Sequence, residues 1–300
     1  MESSRLYLIP TLCCVWLLLW SASALAQAPP PAAAGFQIAA QLEHAAYELK
    51  GVPSVIVHAP PGFDARAPLQ LVVFLHGLRG CVSVLMGRGS VRCGPGAPET
   101  TGWDLASPHD RAHTNTLFVV PQLAYMKRDG RPGRFGQPGG FRDFLEELLK
   151  GPLAEALGGP RSLADVARID LVAHSAGYQT ALAILEHGGV KASLIRGIVL
   201  LDALYAETVR FARYVEAHRS GLQLIVISLA NGIPAREAAI LERRLRRSLG
   251  AEHVTSVDPN GIGAAISRYP IVFARGTPPH RLIPATHLSE VLSAMHMRAQ

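Results

Sequence analysis

The chain has 300 residues, 49% of them hydrophobic and 17% charged, with 29 Lys+Arg against 23 Asp+Glu and a formal net charge of +6. Apolar content this high excludes an intrinsically disordered chain, and the length suits one α/β domain. The four cysteines and the absence of internal repeats also exclude a disulfide-dense scaffold and a solenoid.

Arg5 precedes an apolar run over residues 6–20, followed by Ser21-Ala22-Ser23-Ala24-Leu25-Ala26. A charged start, a hydrophobic stretch shorter than a membrane span and an A-x-A site predict a signal peptide, residues 1–26, cleaved after Ala26. Cys13 and Cys14 leave with it. The expected product is secreted or periplasmic, with no stable membrane insertion. A Pro/Ala-rich stretch then predicts a flexible N-terminus over 27–40, ahead of one folded domain over 41–300.

Residues 47–50 and 55–57 are short strand candidates joined by a turn at Gly51-Val52-Pro53. Residues 69–75 form a continuous apolar run, as a buried strand requires, and 116–120 form another that ends at Pro121. Between them lies a long insert with Cys81, Cys93 and Trp103. Two cysteines this close, in a Gly-rich loop of a chain sent to an oxidising compartment, predict a Cys81–Cys93 disulfide. His109, Asp110 and His113 have no helix or strand pattern to hold them as metal ligands, so a surface loop and no metal are expected.

Phe141, Phe144, Leu145, Leu148 and Leu149 recur at helical spacing and predict a helix over 141–157. The run Ile169-Asp170-Leu171-Val172-Ala173-His174-Ser175-Ala176-Gly177-Tyr178 follows. It reads as a strand entering a tight turn at Ser175, with a helix leaving over 178–187. That is the strand–Ser–helix setting of a G-x-S-x-G nucleophile elbow, with Ala173 in place of the first glycine. The turn presents the serine hydroxyl beside a helix N-terminus, where the N–H of Ala176 can stabilise an oxyanion. His174, next to it, reads as a packing residue. Strands over 197–201, 222–229 and 269–273 then alternate with helices over 207–218, 236–249 and 287–297.

In the helix over 236–249, Arg243, Arg244, Arg246 and Arg247 lie opposite Ile240, Leu241, Leu245 and Leu249, which reads as a solvated face. No aromatic residues interleave with the arginines as a nucleic-acid platform needs, so no nucleic-acid partner is expected. Alternating strands and helices imply a mostly parallel, doubly wound sheet with helices on both faces. Active residues then belong at the C-terminal ends of the strands. His76-Gly77 falls at one such end, where a tight turn can aim the Leu78 N–H at the same oxyanion.

An acid and a base are needed to activate Ser175. Asp202 ends the strand over 197–201. Asn231, after the next strand, lacks the charge, and Asp258 beside Pro259-Asn260-Gly261 reads as a turn residue. Asp202 is therefore favoured as the acid. His280 lies in a proline-rich loop after the last strand and is the favoured base. His287 is the alternative, following Thr286 as an N-cap and so falling in the first turn of a helix.

The ordered set His76-Gly77, Ala173-His174-Ser175-Ala176-Gly177, a later Asp and a late His resembles the α/β-hydrolase superfamily over most of the chain from residue 47. The stretch Ala59-Pro60-Pro61-Gly62-Phe63 is similar to secreted bacterial esterases of the feruloyl-esterase and polyester-depolymerase type. The Ala173 elbow is similar to small secreted bacterial lipases. The resemblance implies an α/β-hydrolase fold and the chain order nucleophile, acid, histidine. It also implies a serine carboxylesterase that uses no cofactor and acts on a small-molecule or polymer ester. An amidase or peptidase on the same scaffold, or a non-catalytic binding protein of the same fold, are the alternatives.

Overall fold

A computed structural model describes residues 34–124, 130–276 and 278–299. The expected signal peptide, residues 1–26, lies outside them, as do residues 27–33 and 125–129. Strands and helices follow one another as β1 (Phe36–Ala40), β2 (Val55–Ala59), β3 (Leu69–Leu75), α1 (Val82–Met86), β4 (Ser90–Arg92), β5 (Glu99–Thr101) and α2 (Ala106–Arg111). Next come β6 (Leu117–Pro121), α3 (Gly140–Lys150), β7 (Val166–His174), α4 (Gly177–His187), β8 (Ile195–Leu201), α5 (Thr208–His218) and β9 (Gln223–Ser228). The chain continues through α6 (Ile233–Leu249), β10 (Val254–Val257), α7 (Ile262–Arg268), β11 (Ile271–Arg275) and α8 (Ile283–Ala299).

Nine strands form one sheet in the order β1-β2-β6-β3-β7-β8-β9-β11-β10. From β6 to β10 every neighbouring pair is parallel, while β2 runs antiparallel to both β1 and β6. β4 and β5 form a separate antiparallel hairpin.

Strand alternation divides the core between the two faces. Leu71, Val73 and Leu75 of β3 pack with Phe141, Leu182, Phe211 and Leu241 from α3, α4, α5 and α6. Val72 and Phe74 of the same strand pack with Leu85, Ile262 and Val291 from α1, α7 and α8. Side chains two apart share a face, so a continuous apolar run fills both layers at once. The doubly wound architecture follows directly.

Several boundaries depart from the sequence reading. Residues 36–40, read as part of a flexible 27–40 segment, form β1 and pair with β2 from Phe36↔Ala59 to Ala40↔Val55. Residues 47–50 form no strand and contribute only an isolated Leu49–Val52 bridge. The helix predicted over 141–157 stops at Lys150, because Gly151-Pro152 cannot continue it. β10 and α7 had no sequence counterpart. The Cys81–Cys93 disulfide is present, with its Cα atoms 6.0 Å apart. His109 and Asp110 lie on α2, where His109 Nε2 meets Thr116 Oγ1 at 2.8 Å and Asp110 meets His58 at 2.7 Å.

Candidate active site

β7 lies in the middle of the sheet between two parallel partners, so its C-terminal end opens at the centre of one edge. Only Ser175 and Ala176 separate it from α4. Ser175 takes φ 55°, a left-handed conformation that costs a non-glycine residue about 1–2 kcal/mol. Its N–H is tied to the Leu201 carbonyl at 3.3 Å. The surroundings leave no room for larger neighbours. A Cβ on Gly177 would lie 2.1 Å from the Leu75 carbonyl oxygen, and one on Gly77 would lie 2.5 Å from the Ser175 Cβ. Glycine at both positions is therefore a steric requirement of the turn.

Asp202 follows β8 directly and also has a positive φ, 45°. Its N–H donates to Ile227 O at 2.6 Å, which fixes the bend against β9. The carboxylate is 2% exposed and both its oxygens are used. Oδ1 accepts the Leu229 N–H at 3.2 Å, and Oδ2 lies 2.6 Å from His280 Nδ1. The strand after Asp202's own thus ends in a backbone donor to this carboxylate rather than in a carboxylate of its own.

His280 begins a short 3₁₀ turn after β11 and lines the same cleft as Ser175. Ser175, Asp202 and His280 are thereby brought to one place from three loops of one sheet edge. His287 is elsewhere. α8 begins at Ile283, so Thr286 is no cap and His287 sits in the second turn, 5% exposed. Burial holds its imidazole below the ordinary pKa, and its Nε2 has no partner among the described residues. Asp258 stands at the N-terminal boundary of the 3₁₀ turn Pro259–Gly261, and its backbone carbonyl accepts the Gly261 N–H at 2.9 Å, as a turn residue's should.

The His76-Gly77 turn is braced by its own histidine. His76 is 2% exposed, and burial lowers its pKa to about 4, so the ring is neutral at pH 7. Nε2 accepts the Leu123 N–H at 2.9 Å, leaving Nδ1–H to donate to the Gly77 carbonyl at 2.9 Å. The Gly80 N–H reaches the same carbonyl at 3.1 Å. In a trans peptide C=O and N–H point in opposite directions, so a carbonyl held from one side aims the Leu78 N–H to the other. Leu78 lines the cleft. Ala176 stands at the start of α4, where first-turn N–H groups lack intrahelical acceptors.

One reading holds in a particular way, and one neighbour of Ser175 had no sequence signal. His174 packs, as read, with its ring 4.5 Å from that of His280 and 5.5 Å from Trp103. Its Nε2–H donates to the His280 carbonyl at 3.1 Å, and burial lowers its pKa to about 3. Tyr205 lies close to Ser175 and Asp202, and burial raises its phenol pKa. No local pattern marked Tyr205. Gln122 braces the same loop by accepting from Val82 N–H and donating to Gly80 O.

The cleft has a volume of about 160 Å³, with Leu78, Val84, Leu85 and Trp103 as its apolar wall and Arg281 stacked over Trp103. An apolar cavity of roughly 150 Å³ accommodates a benzene ring. The space suits one small group.

Sheet order, elbow and strand-end residues together define the α/β-hydrolase fold, and the chain has it. Among solved structures it is similar to a ferulic acid esterase, with 13% identity, TM-score 0.56 and coverage of 88% of this chain and 99% of that one. It is also similar to a mutant feruloyl esterase module from Clostridium thermocellum complexed with sinapinate, with 11% identity, TM-score 0.51 and coverage of 88% and 95%. No family model and no curated protein sequence matches the chain.

Proposed function

We propose that the chain is a secreted serine hydrolase that cleaves a carboxylic ester through an acyl-enzyme. The observation that carries this reading is the 2.6 Å Asp202–His280 hydrogen bond at the cleft that holds Ser175 in its left-handed turn. With Nδ1–H on Asp202, the His280 Nε2 is free to act as a base. Ser175 Oγ attacks the ester carbonyl carbon while its proton passes to Nε2, and Asp202 stabilises the imidazolium. The N–H groups of Leu78 and Ala176 receive the oxyanion. Collapse of the tetrahedral adduct breaks the ester C–O bond, and Nε2 returns the proton to the departing alcohol. Water, deprotonated by the same nitrogen, then releases the acid and regenerates Ser175.

This sequence of steps needs only side chains and backbone donors of the chain itself. The cleft of about 160 Å³, with its apolar wall, favours a short acyl group or a single ring, in line with the sinapinate in the complex of the similar feruloyl esterase module. Secretion is supported by the leader pattern and by a disulfide that an oxidising compartment would preserve. The test is fluorophosphonate labelling with a panel of p-nitrophenyl and hydroxycinnamate esters. Labelling at Ser175 with preferential turnover of short or single-ring acyl groups is expected. A labelled residue other than Ser175, or amide turnover exceeding ester turnover, overturns the reading.

A further inference from the structure

At the opposite edge of the sheet, where the parallel strands begin, lies a larger cleft of about 740 Å³. Its lining residue Arg168 lies seven residues before Ser175 along β7, about 23 Å at strand rise. Arg196 enters it from β8, Arg219 from the end of α5 and Arg268 from the end of α7. None of these three has a carboxylate partner among the described residues. Arg168 also lines the cleft but is neutralised, its Nε lying 3.0 and 2.8 Å from the two oxygens of Asp170. The one carboxylate in the wall, Glu252, is 3.6 Å from His253. Three guanidiniums without a bonded carboxylate thus line one concavity that holds a single carboxylate.

Two details show that the cleft is built rather than merely cationic. Gly221 has φ 75°, and a Cβ there would lie 2.3 Å from Arg196 Nη2, so the missing side chain makes the space that Arg196 occupies. Gln223 lines the cleft, is 6% exposed, and gives its Oε1 to Arg168 Nη2 at 3.1 Å. That bond fixes the amide, and its Nε2 is a buried donor with no partner among the described residues. A buried donor without an acceptor is costly, and an oxyanion supplies the acceptor.

We infer that this cleft binds a compound carrying two or more phosphate groups. Guanidinium forks match phosphate oxygens in pairs, and three of them around a cavity far larger than a single ion favour a multiply charged ligand. The same chemistry is offered by a soluble oligophosphate and by phosphate displayed on a lipid.

Calorimetric titration of the full chain with sodium tripolyphosphate at low ionic strength tests this. Binding is expected to be saturable and weakened by salt. Arg219→Ala and Arg268→Ala, both at exposed positions, each lower affinity by about tenfold or more. Gln223→Glu, which exchanges a donor for a charge, does the same, while Arg243→Ala on the outer face of α6 and Ser175→Ala leave it unchanged. Co-sedimentation with vesicles of phosphatidylglycerol and phosphatidylcholine separates the sources. Vesicle binding lost in the same variants assigns lipid phosphate, and tripolyphosphate binding without it assigns a soluble ligand. No saturation at millimolar tripolyphosphate, an equal loss in Arg243→Ala, or tighter binding of citrate overturns the proposal.

Discussion

The two edges of the sheet carry opposite electrostatic arrangements. At the C-terminal edge the polar groups are matched within the chain: Asp202 with His280 and Leu229, His76 with Gly77 and Leu123, His174 with His280. At the N-terminal edge Arg196, Arg219 and Arg268, none of them bonded to a carboxylate among the described residues, face a large cleft whose wall holds a single carboxylate, Glu252. The difference teaches what each edge is prepared for. Matched groups in a small cleft are preorganised for a transient charge, and unmatched ones in a wide cleft wait for a permanent one.

If this contrast holds, the two edges respond to separate substitutions. The largest effect is expected for Ser175→Ala, which should lower kcat by about 10⁶-fold in an ester assay while tripolyphosphate binding stays intact. Asp202→Asn should cost about 10⁴-fold, since it unsettles the tautomer and charge of His280 without removing it. His280→Ala belongs in the same range, whereas His287→Asn should keep kcat within about threefold despite some loss of thermal stability. Equal losses at His280 and His287 would reassign the base. Gly77→Ala should lower kcat by about 10²–10³-fold, because the added methyl displaces the turn that carries the Leu78 donor.

The smallest effect concerns pH. His76, His109 and His174 are buried and neutral, with pKa values lowered to about 4, 3 and 3 from an ordinary 6.5. Below pH 6.5 the unfolded chain gains protons that the folded chain refuses. The stability these groups provide is therefore complete above 6.5 and is lost as pH falls through about 4 and then 3. Thermal midpoints measured from pH 7 to pH 3.5 should fall accordingly, and His174→Phe should flatten the slope. A midpoint independent of pH over that window would show that these rings are not buried neutral.

The parts of the fold legible in the sequence are those where the signal is local and strong. The runs in β3, β7 and β8 are apolar on both faces, and only a doubly covered strand can use such a run. β1 was missed because an edge strand alternates half-buried and exposed positions, and Phe36-Gln37-Ile38-Ala39-Ala40 follows directly on an Ala-rich stretch. β10 and α7 are short, and their few buried residues, among them Val254, Ile262 and Ile266, form no strong period. Helix α3 was overextended because the apolar spacing continues through Leu153 and Leu157 after the hydrogen-bonded helix has ended at Gly151-Pro152.

By itself the sequence determined the elbow, since strand, turn and helix are consecutive and Gly177 is set by sterics within a few residues. It also placed His76-Gly77 and Asp202 at strand ends, which alternation alone predicts. Tertiary structure decided the rest. His280 rather than His287 meets Asp202 across 78 residues because β11 ends beside β9 and α8 starts at Ile283, carrying His287 into the core. Tyr205 comes close to Ser175, and three arginines from β8, α5 and α7 reach one cleft, for the same reason. A side chain's partner across the sheet depends on register and packing between distant segments, and no local pattern of residues encodes that distance.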